Sequence, residues 1–111
     1  MDAPLDQLEV YDVSGLPNAA PAFVAGVPLT SLSGTEQPCQ TNCEREGWVL
    51  NDLSGRYVYV GDTGNVVDTS TLSVVTTLPA LQNTRLLAEV DWVSGTPSAT
   101  STRFGLGRVT N

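Results

Sequence analysis

A chain of 111 residues, 41% of them hydrophobic, has the length of one small domain and the composition of a globular one. Twelve Asp and Glu against five Arg, with no Lys and no His, give a net charge of −7, which repels phosphate backbones and anionic lipid and so excludes nucleic-acid and membrane-surface partners. The absence of His also removes the usual general base near neutral pH and the commonest metal ligand, so no cofactor and no metal are expected.

The chain opens on "MDAPLDQLEV", which has neither a basic end nor an apolar core, so it does not read as a signal peptide. No run approaches the roughly 20 apolar residues of a membrane span. Seven Pro, ten Gly and many Ser and Thr fit a turn-rich, all-β chain.

Residues 8–29 hold two strand candidates, around "VYDVS" (10–14) and "VAGVP" (24–28), joined by the loop "GLPNAAP" (15–21). A long loop, 30–46, follows and carries the only cysteines, Cys39 and Cys43. No second pair and no His accompanies them, which argues against zinc, and CxxxC in a β context is not a redox motif. The expected state is a local disulfide, with two free thiols as the alternative, and a disulfide implies an oxidising extracellular or periplasmic setting, with any export address outside this chain.

Residues 47–80 read as a complete unit of four strands. "GWVL" (47–50) is followed by the turn residues "NDLSG" (51–55). "RYVYVG" (56–61) alternates, with Tyr57 and Tyr59 on one face and Val58 and Val60 on the other. "DTG" (62–64) is expected to close a hairpin with Gly64 at positive φ; "NVVDTS" (65–70) returns, and "LSVVTTLP" (72–79) ends at Pro79. Residues 81–111 supply two further strands, 86–92 and 98–109, across the turn "VSGTP".

The pattern repeats. "VYDVS" aligns with "VVDTS" at an offset of 56 residues, and "VAGVP" with "VTTLP" at 51; the longer 15–21 loop absorbs the difference of five. A period near 50 lies in the range of propeller blades. Residues 8–29 are then the last two strands of a preceding blade, 47–80 a complete blade, and 81–111 the opening strands of a following one. The fold expected is a β-propeller segment built of four-stranded antiparallel meander blades, a piece of a longer ring.

At "SGRYVYVG…VVDTSTLSVVTTLP" the chain resembles the YVTN-type β-propeller repeat family, through Gly55, Tyr57, Val58, Tyr59, Val60, Val67, Asp68, Thr69, Val74 and Val75. The resemblance covers 47–80 and, in part, 8–29. It implies turns and inter-blade packing and brings no catalytic residue with it.

Candidate site residues are few. Asp62, Asn65 and Asp68 form a short acidic constellation of oxygen ligands suited to Ca²⁺, but their spacing fits no EF-hand loop, and hairpin and strand-end roles explain the aspartates. Glu89 and Asp91 share one strand face by alternation and are candidates for acid–base work, for ligand binding or for a place on a central channel. Arg85 and Arg103, in matching "TR" contexts, are expected to form structural ion pairs with nearby Asp or Glu, the functional alternative being a bidentate grip on a ligand carboxylate. Trp48 and Trp92 stand at strand boundaries, where they pack between blades or offer a stacking platform. Loop 30–46 is the main candidate for recognition. The function expected is therefore a non-catalytic binding or scaffold module in an exported protein. Its partners would be the remaining blades, a second copy, or a protein or small-molecule ligand. The alternative is part of a propeller enzyme such as a lactonase-like hydrolase, with Arg85, Glu89 and Asp91 as this segment's contribution.

Overall fold

Period-two alternation bounded by Gly, Asp and Pro turns produces strands wherever it occurs, and a computed structural model, which describes residues 6–30, 49–82, 84 and 87–101, shows eight of them. In chain order they are β1 (Gln7–Asp12), β2 (Ala22–Pro28), β3 (Val49–Asn51), β4 (Tyr57–Val60), β5 (Thr63–Asp68), β6 (Ser73–Gln82), β7 (Glu89–Val93) and β8 (Thr96–Ser101). Every ladder is antiparallel. The sheets are a hairpin β1–β2, a four-stranded meander β3-β4-β5-β6 and a second hairpin β7–β8. The protein is all-β: the described residues contain no helix, and no sheet among them closes on itself.

The offsets seen in the sequence are also structural. In β1–β2, Val10 pairs with Ala25 and Tyr11 with Phe23, so Val24 is an extra residue in a β-bulge. In β5–β6, Val66 pairs with Thr76 and Val67 with Val74, leaving Val75 extra at the equivalent place. Asp12 and Asp68, which are equivalent, each accept a hydrogen bond from the backbone N–H two residues on, Ser14 and Ser70, both at 2.8 Å. Hairpin β7–β8 adopts the same register: Asp91 pairs with Ala99, Trp92 with Pro97, and Ser98 is the bulged residue. An extra residue of this kind bends its strand and strengthens the right-handed twist, and all three hairpins carry it at the same position.

Alternation then decides the layers. Val58, Val60 and Val67 share one face of the meander, and Leu8, Val10, Val27 and Leu29 of the β1–β2 segment pack onto that face to make the core. Val27, Val60 and Val67 are fully buried, each contributing roughly 1.5–3 kcal/mol. The opposite face carries Leu50, Tyr59, Val66 and Thr76 in one cross-strand row, with Tyr57 beside it.

Three local features differ from the sequence expectation. The β4–β5 turn is centred on Asp62, at φ 64°, with the Thr63 N–H bonded to the Gly61 carbonyl at 2.7 Å, rather than on Gly64. Gly64 (φ 76°) lies inside β5, where a Cβ would stand 2.5 Å from the Leu78 carbonyl oxygen, so its positive φ serves a close backbone approach. Strand β6 does not end at Pro79 but runs to Gln82: the β5–β6 register breaks at Gly64, and Pro79 falls in the stretch between the Asn65–Thr77 and Thr63–Gln82 pairs, where a proline interrupts no paired position. The third hairpin turns at Ser94–Gly95, both at positive φ, so Val93, Thr96 and Pro97, expected in the turn, belong to strands Glu89–Val93 and Thr96–Ser101, while residues 86 and 102–109 of the expected strands lie outside the described residues.

Candidate functional site

On the far face of the meander a cleft of about 250 Å³ is lined by Leu50, Tyr59, Leu78, Leu81, Leu87, Ala88 and Glu89. Its floor follows from register: Leu50 and Tyr59 are direct cross-strand partners and therefore project together. Its wall is the segment that leads into β7. Glu89 anchors that wall, since its Oε1 accepts the Leu53 N–H of the β3–β4 turn at 2.9 Å. The same turn is closed by Asp52, which accepts the Tyr57 N–H at 2.9 Å and the Ser54 hydroxyl at 2.5 Å.

Tyr59 is the one polar group on the floor. Burial, and then the negative charge of Asp52 and Glu89, with smaller effects of Tyr57 and Asp91, push its phenol above the usual 10.0. It stays protonated at neutral pH and serves as a hydrogen-bond donor rather than a nucleophile. Asp52 is raised by burial but pulled below the usual 3.8 overall by the Ser54 hydroxyl and the backbone N–H groups of Tyr57, Ser54 and Arg56. The cleft therefore offers apolar walls, one phenolic donor and one carboxylate already holding the wall in place. Such a site can take a small apolar group.

Glu89 and Asp91 both lie half-buried on β7, two residues apart ahead of the bulge. Only Glu89 lines the cleft. Trp92 is 62% exposed rather than packed between sheets. Arg85, Trp48, Arg103, the Cys39–Cys43 pairing and residues 31–46 of the long loop lie outside the described residues.

The triplet Asp62, Asn65 and Asp68 is dispersed among separate tasks. Asp68 accepts the Ser70 hydroxyl and N–H and meets the Arg56 guanidinium at 3.3 Å, and these contacts, the hydroxyl first, hold its carboxyl below 3.8. Asn65 is buried at the joint between the first hairpin and the meander. Its Oδ1 accepts the Thr30 N–H at 2.8 Å, and its Nδ2 donates to the Thr30 and Thr77 hydroxyls at 3.0 and 2.9 Å. Asn65 thereby fixes the point from which loop 30–46 departs. The legible signal was an Asn inside a valine strand, since a buried amide must find partners. Among the described residues no group of three or more Asp, Glu, Cys or His converges as a metal site.

Compared with known proteins, the chain matches no family model, no curated protein and no solved structure.

Proposed function

We propose that this chain is a β-propeller-type repeat segment, of the YVTN kind, acting as a binding and scaffold module in an exported protein. The shared hairpin register carries the proposal. Three hairpins share one bulge position: one lies within the four-stranded meander and another, β1–β2, packs onto it, so these are units whose apolar faces need neighbours. The far face of the meander, and the loop that Asn65 launches, are the surfaces such a module presents. Glu89, the candidate carboxylate nearest the cleft, is held by a backbone N–H, a positioning role that suits a scaffold.

Sedimentation across a concentration series, with an environment-sensitive apolar dye alongside, tests this. A repeat segment with uncovered faces self-associates or, while monomeric, binds the dye. A monomer that ignores the dye and melts cooperatively is a closed fold and overturns the proposal.

A further inference from the structure

The joint between the first hairpin and the meander has a direction. The β1–β2 face carrying Leu8 and Val10 lies on the meander face carrying Val60 and Val67. Under the shared register Val10 is equivalent to Val66, and Tyr11 to Val67. One layer therefore sets its Val66-type face on the next layer's Val67-type face.

Two ends of the stack remain open among the described residues. At one end is the Val67-type face of β1–β2. It carries Tyr11 and Phe23, cross-strand partners in an edge-to-face contact with ring centroids 5.6 Å apart. Phe23 is 58% exposed, although its equivalent row in the meander includes the fully buried Val67. At the other end is the Val66-type face of the meander. Its Leu50–Tyr59 part is walled by Leu87–Glu89, but the β5–β6 part remains a shallow groove lined by Tyr57, Tyr59, Val66, Val75, Thr76 and Leu78.

We propose that the β1–β2 hairpin of a second copy of this chain occupies that groove, with its Tyr11 and Phe23 seated on Val75 and Leu78, beside β7–β8. The contact repeats the polarity of the interface within the chain: there a Val66-type face, that of β1–β2, lies on a Val67-type face, that of the meander, and here the meander's Val66-type face receives the Val67-type face of the next copy's β1–β2. It joins unlike surfaces, so it is head-to-tail, and copies add in sequence to form a ring or an open array. The inference rests on the proposed repeat-segment function and names its partner. With a net charge of −7 per copy, added salt screens the mutual repulsion and strengthens the association.

Complementation distinguishes this polarity from a face meeting its own kind. Phe23→Lys blocks the hairpin end and Val75→Lys the groove end, and both positions are exposed, so the fold of each copy is kept. Each variant alone is expected to associate about tenfold or more weakly than the unaltered chain. An equimolar mixture should form 1:1 dimers with near-original affinity, because each partner retains the face the other lacks. Leu53→Lys, in the β3–β4 turn, should leave association unchanged. On the unaltered chain, association should slow amide exchange in residues 9–12 and 22–25 together with 73–78. A mixture that behaves like the separate variants, or protection on one of the two surfaces alone, overturns the inference. A stable monomer that binds the apolar dye overturns it too, yet leaves the repeat-segment function standing.

Discussion

The two faces of the meander are made by the same strands in the same register, and they have opposite fates. On one face Val67 is 1% exposed beneath the first hairpin; on the other, the bulged Val75 is 51% exposed. Nothing in local β-propensity separates these two valines. What separates them is whether another layer lies above, so the sheet is a repeated element whose stability is lent by its neighbours.

The sharpest way to break this comparison is to place one charge on each face. Val60→Asp buries an unpaired carboxylate in the joint and should cost more than about 4 kcal/mol, enough to abolish cooperative unfolding near room temperature. At concentrations where the chain is monomeric, Val75→Asp should change stability by no more than about 0.5 kcal/mol. Equal effects in urea melts would show that the open face is covered after all.

Asn65→Ala tests whether the joint is fixed by polar contacts as well as apolar ones. Removing the amide leaves the Thr30 N–H and the Thr77 hydroxyl without their partner, at a cost of about 2 kcal/mol. The urea midpoint should fall with the slope unchanged, and amide exchange at Thr30 should quicken more than in β3–β4.

Two glycines with nearly the same φ separate packing from backbone preference. At Gly64 a Cβ meets the Leu78 carbonyl, whereas at Gly95 nothing lies within 4 Å. Gly64→Ala should therefore cost about 2 kcal/mol, and Gly95→Ala about 1 kcal/mol for the left-handed conformation alone. Matching losses in thermal melts would mean that the Gly64–Leu78 approach relaxes freely.

The smallest expected effect is that of pH. The carboxyls of Asp12, Asp52 and Asp68 are all held below 3.8. In Asp12 the Ser14 N–H is the main cause, followed by the Ser14 hydroxyl. The folded state then binds fewer protons than the unfolded chain, so their contribution is complete above 3.8 and is lost as pH falls through the depressed values. Asp68→Asn should flatten part of that acid limb. At the other end, Tyr59 is raised above 10.0, so its contribution is present below that value and is lost as pH climbs beyond it. Tyr59→Phe should remove the alkaline loss, and urea midpoints measured across both limbs check the two signs.

Alternation, turn residues and the paired offsets of 56 and 51 were enough to establish from the sequence that the chain is all-β, that "RYVYVG" divides its tyrosines from its valines, and that residues 8–29 and 65–79 form related hairpins. These are local properties: period two sets side-chain direction, and Asp, Ser and Gly set turns. The bulge at Val24, Val75 and Ser98 was not visible, because an extra residue in one strand is defined only by the strand opposite it. For the same reason Pro79 read as a strand end, and Gly64 as a turn glycine. The roles of Asn65 and Glu89 were equally hidden, since Thr30 and Leu53 lie 35 and 36 residues away along the chain. Sequence alone determined which residues share a face; only the tertiary structure decided which face is covered, because burial depends on a second layer brought from a distant part of the chain.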